Sequence, residues 1–213
     1  MADGAPAIKQ GRKFEQVLEG ARAIFLRDGF EGASVDDIAK TAQVSKATLY
    51  SYFPDKRHLF MEVARRECGR QAESTIGSID MTAPVQDILR KVGRDMVGFI
   101  CSDFGQRIFR ICVAEGDRFP ELGREFYESG PKLVQGKMIE LLHGAVERGE
   151  LQIDDVDLAA HQFPELCKAD LFPRMVFKGE TAFSEAEMTR VVDGAVAMFM
   201  ARYGSTASKA AKI

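Results

Sequence analysis

Between Ser34 and Phe53 the chain carries two short stretches that each open on a serine, Ser34-Val35-Asp36-Asp37 and Ser45-Lys46-Ala47-Thr48. A serine placed just before an apolar-periodic run accepts a hydrogen bond from a backbone amide in the first turn and so starts a helix. An acid three residues after Ser34 sits at the positive end of that helix. The second stretch displays Lys46, Thr48, Tyr50, Ser51 and Tyr52 on its outward face, with no acid between Ser45 and Phe53. A helix that needed only solubility would more often carry Glu and Lys there. Hydrogen-bonding and aromatic groups on an acid-free helix suit the base edges of a DNA major groove and the phosphates beside it, where an acid would be repelled. The chemistry indicated is recognition, not bond making.

Catalytic or metal chemistry has weaker support. His161 and Glu165 have the four-residue spacing that puts two ligands on one helical face, and Cys167 follows, but Pro164 between them disturbs that geometry. No HExxH, GxSxG, GxGxxG or P-loop pattern occurs. His58 and His143 read as surface helix residues. The expectation is a protein that is not an enzyme and needs no metal or cofactor.

The elements that position the Ser34–Phe53 segment are helical throughout, since apolar residues recur with a period near 3.6 and sustained alternation is absent. Phe14, Val17, Leu18, Ala21, Ile24 and Phe25 form one face of a helix from about Arg12 to Arg27, closed by Asp28-Gly29. A short helix follows to about Thr41, then the turn Ala42-Gln43-Val44, then a second short helix stopped by Pro54, the layout of a helix-turn-helix. Its expected inward positions are Val35, Ile38, Ala39, Val44, Leu49 and Phe53. Asp55 caps a fourth helix carrying Leu59, Phe60, Val63 and Ala64, and Ser74 to Pro84 reads as a frayed end and linker.

Longer helices follow. Val85 to Ile100 is one apolar stripe, and Phe104 to Val113 another. A stretch from Glu121 to Arg148 is expected to kink at Gly130-Pro131. Val156 to Phe172 is expected to bend or break at Pro164, and Ser184 with Glu187 opens a last helix through a capping box. The expected organisation is all-α: residues 1–11 disordered, 12–70 a helix-turn-helix domain, 80–203 a larger helical bundle, and 204–213 a disordered tail.

Composition fits this reading. The 213 residues carry 29 Lys and Arg against 32 Asp and Glu, with 46% hydrophobic residues, which excludes disorder, collagen and disulfide scaffolds. Residues 1–67 hold 11 basic and 10 acidic side chains, and the net charge of the whole is −3, so any nucleic-acid contact belongs to a local patch rather than to overall basicity. Cys68, Cys101, Cys112 and Cys167 stand apart without a CxxC pair, which suits buried thiols in a reducing compartment. Signal-peptide and membrane-spanning patterns are absent, and a cytoplasmic location is expected.

The residues Ile24-Phe25 to Phe30-Glu31-Gly32-Ala33-Ser34-Val35-Asp36-Asp37-Ile38-Ala39, followed by Val44-Ser45-Lys46-Ala47-Thr48-Leu49-Tyr50-Ser51-Tyr52-Phe53-Pro54-Asp55-Lys56-Arg57-His58-Leu59-Phe60, strongly resemble the DNA-binding domain of TetR-family transcriptional regulators. The likeness covers about residues 12–66. Through Phe119-Pro120-Glu121-Leu122, Phe126-Tyr127 and Gly130-Pro131, the later part resembles more loosely the AefR-like type of ligand-binding domain. The resemblance implies a repressor. It places Lys46, Ala47, Thr48, Tyr50, Ser51 and Tyr52 in the major groove or on its phosphates, with Lys56, Ser34 and Ser45 as further phosphate contacts. Tyr52 and Lys56 are the expected phosphate partners, Thr48 and Lys46 the expected base readers. One departure is Gln43, where the family commonly has Gly; a left-handed conformation there costs a non-glycine residue about 1 kcal/mol.

The resemblance further implies that 80–203 is an effector-binding and dimerisation domain, where a small, largely apolar effector is expected to release the protein from DNA, in a cavity lined by Phe99, Phe104, Phe109, Met138, Phe163, Cys167, Phe172 and Met175, with Arg110, Glu115, His161 and Asp170 as candidate polar partners. A single helix-turn-helix reads few base pairs, so a homodimer on a palindromic operator is expected, joined through the helices near 156–172 and 184–203 with Gly194, Ala197 and Ala201 at the contact. No membrane partner is expected.

Overall fold

In the computed structural model, residues 11–117 and 120–205 are described. The elements in chain order are α1 (Arg12–Gly32), α2 (Val35–Thr41), α3 (Lys46–Tyr52), α4 (Lys56–Gly77), α5 (Val85–Cys101), α6 (Asp103–Glu115), α7 (Pro120–Ser129), α8 (Pro131–Glu147), α9 (Val156–Cys167), α10 (Leu171–Phe177) and α11 (Glu185–Tyr203). The fold is all-α, as its periodicity indicates. Among the described residues the β pairing is one isolated antiparallel bridge, Leu151 to Gly204. The chain divides into two compact units, one made of the residues up to Glu67 with Arg110–Phe126, the other of Cys68–Phe109 with the residues from Tyr127 onward.

In the first unit, the apolar stripe of α1 supplies the core. Phe14, Val17, Leu18, Ala21, Ile24 and Phe25 are buried together with Ile38 and Ala39 of α2, Leu49 of α3 and Leu59, Phe60, Val63 and Ala64 of α4. Phe25 meets Phe60 edge-on at 5.0 Å, and Phe14 stacks on Phe53 at 5.4 Å. Such pairs add about 0.5–1.5 kcal/mol each beyond the area they bury. Gly20 packs directly on the turn after α2: an added Cβ there would lie 2.7 Å from the Ala42 Cβ and 2.8 Å from the Ala42 nitrogen. Val35, the first residue of α2, and Val44, in the turn before α3, are expected inward but are only half-buried.

Gly29 has φ 72°, so the long part of α1 ends where its sequence indicates, and one further turn runs on to Gly32. Only glycine adopts that conformation without steric cost.

The second unit packs α5, α9 and α11 against one another, with α8 against α9 and α10 against α5. Val85, Ile88 and Leu89 of α5, Ala159 and Phe163 of α9, and Val192, Ala195, Val196 and Phe199 of α11 form its centre. The α5–α9–α11 crossing is close at Gly93, whose added Cβ would fall 2.8 Å from a Val192 methyl and 3.2 Å from the Cys167 sulfur. The end of α11 is fastened to the α8–α9 connection: the Gln152 amide donates to the Tyr203 carbonyl at 2.8 Å, the Ser205 amide to the Glu150 carbonyl at 3.0 Å, and the Tyr203 hydroxyl to Gln162 at 2.6 Å. Ser184 and Glu187 form the full capping box that starts α11. Gly204 and Ser205 are thus tied down, while the remainder of the expected tail and residues 1–10 lie outside the described residues.

Three boundaries and one burial pattern differ from expectation. The fourth helix does not fray at Ser74 but runs to Gly77. The stretch expected to kink at Gly130-Pro131 is two separate helices, because Gly130 leaves the helical region at φ −117°, ψ −85° and Pro131 begins the next helix, where its missing N–H costs nothing. The chain also stays helical through Pro164 and stops at Cys167. Proline removes one backbone bond and fits helical φ, whereas Asp170, at φ 67°, cannot be part of a helix, so the break falls between Cys167 and Leu171. Finally, Cys68 and Cys167 are buried but Cys101 and Cys112 are half-buried.

Candidate nucleic-acid interface

The two short helices are each started by the serine indicated by the sequence. Ser34 Oγ accepts from the Asp37 amide and Ser45 Oγ from the Thr48 amide, both at 3.0 Å. Between them Gln43 takes φ 54°, the left-handed conformation required to reverse the chain in so few residues. The turn is held by the Val44 amide on the Ala39 carbonyl at 3.0 Å and the Ala42 amide on the Ile38 carbonyl at 2.8 Å. Leu49, fully buried, anchors α3 in the core. That single anchor turns Lys46, Ala47, Tyr50 and Ser51 outward, all exposed, and leaves Thr48 and Tyr52 half-buried. Tyr50 is 50% exposed.

The hydroxyls of this face are engaged locally. Ser45 Oγ and Thr48 Oγ1 lie 2.9 Å apart, and Ser51 Oγ donates to the Thr48 carbonyl at 2.6 Å. Each oxygen keeps acceptor capacity for another donor. The Tyr52 ring sits edge-on to Phe14 at 5.4 Å, which fixes it at the end of α3.

Lys56 is held from two sides: Nζ donates to the Ala33 carbonyl at 3.2 Å and lies 4.6 Å over the Phe30 ring. Ala33 is the C-cap of α1, so the ammonium also sits at the negative end of that helix. One of its three donors is used and two are left. Asp55, just before it, accepts from the Arg57 and His58 amides at 2.8 and 3.0 Å and from both their side chains. Partial burial works against its charged form, but the hydrogen bonds from His58 and Arg57 outweigh it and hold the carboxyl well below the usual range.

One partner was not visible in the sequence. Lys46, the first residue of α3, forms an ion pair with Asp36, in the first turn of α2. Both side chains are more than half exposed. The available signal was that both stand in first turns of consecutive helices; their ten-residue separation matches no periodicity within a helix.

The structure does not bring the expected effector-lining residues into one class. Met138, Phe163 and Cys167 belong to the packed core of the second unit, Phe104 and Met175 are buried, and Phe99, Phe109 and Phe172 are half-buried. Phe109 and Phe172 meet edge-on at 5.0 Å. Of the candidate polar partners, His161 is exposed and 2.5 Å from the Gln135 amide nitrogen, Asp170 pairs with Arg174 and Arg190, and Arg110 is exposed. The Glu115 side chain lies outside the described residues. His161, Glu165 and Cys167 do not converge: Glu165 pairs with Lys168 at 2.6 Å, and burial pushes the Cys167 thiol up to about 12. Among the described residues, no group of three or more His, Cys, Asp or Glu is placed to hold a metal ion, and no helix is long and apolar enough to cross a membrane.

Residues 17–63 match the bacterial regulatory proteins of the tetR family, and residues 87–205 match the AefR-like transcriptional repressor C-terminal domain. The chain belongs to the TetR family. Its family is one of transcriptional regulators, not enzymes. Over 59 residues it is 39% identical to the transcriptional repressor AcnR of Corynebacterium diphtheriae, a match covering 28% of this chain and 31% of the repressor. The chain thus spans about a third of the length of the AcnR repressors it matches. Over 184 residues it is 25% identical to the transcriptional regulator LuxR of Vibrio harveyi, 85% of each chain. A TetR-family regulator from Mesorhizobium loti superposes with a TM-score of 0.79 at 27% identity, covering 93% of this chain and 100% of the other. The flavonoid-responsive regulator FrrA superposes with a TM-score of 0.68 at 33% identity, covering 91% and 98%.

Proposed function

We propose that the protein is a sequence-specific DNA-binding repressor, working as a homodimer on a palindromic operator and released by a small, largely apolar ligand. The observation that carries the first part is α3 itself: a serine-capped, acid-free helix, anchored by Leu49, that turns Lys46, Ala47, Tyr50 and Ser51 to solvent. In this reading Lys46 and Thr48 read base edges, and Ser34, Ser45, Ala47, Tyr50, Ser51, Tyr52 and Lys56 meet phosphates and the groove wall. Membership of a family of regulators and the AcnR likeness over the same segment support it.

Dimerisation has its own support. Gly194, Ala197 and Ala201 are exposed on α11 beside Met198, which is 62% exposed, and Leu158 of α9 is 49% exposed. Small residues flanking an uncovered methionine suit close approach of a partner helix. A palindromic operator asks for two α3 helices one helical turn of DNA apart, about 34 Å. For the effector, Phe109 and Phe172, which meet edge-on at 5.0 Å, and Phe99 are half-buried and offer aromatic surface. FrrA, at 33% identity, is a flavonoid-responsive regulator, and a flat aromatic ligand is the class proposed here. Such a ligand acts only by binding the DNA-incompetent conformation more tightly.

The test is fluorescence anisotropy of the purified protein on duplexes selected from a random pool, over a salt series with unrelated competitor DNA. Competitor-resistant binding with a steep salt slope is expected. Binding that competitor abolishes on every selected duplex refutes the reading.

A further inference from the structure

The segment from Ser34 to His58 has four fixed cations, Lys40, Lys46, Lys56 and Arg57, against Asp36, Asp37 and Asp55. A face meant for DNA gains most of its non-specific affinity from such cations, so the use made of each acid matters. Two of the three have local duties: Asp37 accepts from the Ser34 hydroxyl at 2.6 Å, and Asp55 caps α4. Asp36 has a different partner. Its helical neighbour four residues on, Lys40, is exposed and forms no ion pair among the described residues, yet Asp36 reaches across the turn to Lys46 on α3. Pairs at i, i+4 form on helices at little conformational cost. The observed choice therefore places a negative charge on the one lysine of the acid-free helix.

We propose that Asp36 is a positioning and specificity-determining residue: by its ion pair it holds the Lys46 ammonium in place for base edges and withholds the lysine from phosphates. The inference rests on the DNA-binding reading above. Its physical basis is the difference between the two kinds of contact. A phosphate attracts any nearby ammonium, in every sequence alike, and an adjacent carboxylate cancels most of that attraction. A guanine edge presents two acceptors in fixed directions, so it rewards an ammonium already held in place. Specificity is a difference of affinities, and a carboxylate beside the reading lysine lowers the non-specific one without touching the specific contacts.

The experiment compares full-length wild type with Asp36→Asn, Asp36→Glu, Lys46→Ala and the double variant Asp36→Asn/Lys46→Ala, by anisotropy on the wild-type selected duplex and on a scrambled duplex over a salt series. Thermal melts of each variant accompany the titrations. Asp36→Asn is expected to raise affinity for scrambled DNA by about five- to tenfold and to steepen its salt slope by about 0.9, one added phosphate contact. On the selected duplex it gives no gain, so the specificity ratio falls by at least the same factor. Asp36→Glu restores wild-type values, and in the Lys46→Ala background Asp36→Asn changes either affinity by less than about twofold. Equal changes on both duplexes, or the full effect without Lys46, overturn the proposal while leaving the DNA-binding reading intact. Failure of the wild type to prefer the selected duplex overturns that reading, and this inference with it.

Discussion

Gly20→Ala should destabilise the protein although alanine is the better helix former. In α1, exchanging glycine for alanine by itself favours the helix by about 0.8–1 kcal/mol. The new methyl group would lie 2.7 Å from the Ala42 Cβ and 2.9 Å from its Cα, with backbone on the far side rather than a movable side-chain end. Carbon atoms pack at about 3.5–4.0 Å, so α1 and the turn after α2 must part by roughly 1 Å. Overpacking of this kind costs about 1–3 kcal/mol, which exceeds the propensity gain. The net loss is up to about 2 kcal/mol, a fall in Tm of up to roughly 8 °C for a chain this size. Gly136→Ala supplies the internal control: Gly136 is exposed within α8, nothing lies within 4 Å of its added Cβ, and the same exchange should raise stability by about 1 kcal/mol. Thermal denaturation followed by circular dichroism reads both signs. The shifted turn leads straight into Ser45 and α3, so operator affinity should fall about tenfold in Gly20→Ala and stay unchanged in Gly136→Ala. A Gly20→Ala protein as stable as wild type would refute the close-packing reasoning.

Three further outcomes are expected. Ser34→Ala and Ser45→Ala each remove one first-turn acceptor and should each cost about 1 kcal/mol in denaturant melts. Tyr52→Ala and Lys56→Ala should weaken binding to cognate and scrambled DNA alike, whereas Thr48→Ala should also change sequence preference when selection from a random pool is repeated. Glu187 is held down to about 2 by the Ser184 amide and hydroxyl and then by Arg174, so its folded value lies below its unfolded one; its contribution is present above the unfolded value near pH 4.3 and is lost as pH falls toward 2. Melts between pH 2 and 6 should show a shallower acid dependence in Glu187→Gln, and identical dependence in both proteins would show that the capping box does not hold in solution.

Local rules decided most of what was legible in the sequence. Ser34, Ser45 and Ser184 start helices because the side chain and the amide that needs it lie three residues apart, and Gly29 ends the long part of α1 because only the chain's own sterics are involved. Gln43 shows the limit from the other side: the turn needs φ 54° whatever residue stands there, and the packing around Ala42 and Leu49 imposes it. The break after α9 was misplaced because Pro164 is the louder signal, while Asp170 turns the chain at φ 67° in a three-residue turn closed by the Leu171 amide on the Ala169 carbonyl, which its residue type does not announce. The Asp36–Lys46 pair and the clasp of Lys56 between Ala33 and Phe30 depend on how side chains reach between elements, which no spacing rule encodes. The effector lining was least legible, since Phe163 and Phe99 have the same residue type and periodicity yet one is core and the other half-buried.

The packing of α11 against α5 has a consequence for how the chain is made. The faces that meet, Val85, Ile88 and Leu89 on one side and Val192, Ala195 and Val196 on the other, are separated by about 100 residues of synthesis. At the usual pace of translation α5 leaves the ribosome roughly 5–20 s before the helix that covers it. During that interval its apolar stripe is open to chaperones and to other nascent chains. Lesions in α11, or in the Tyr203–Gln152 fastening that closes it, should therefore appear first as lost soluble yield in cells, at substitutions whose purified proteins melt only a few degrees lower.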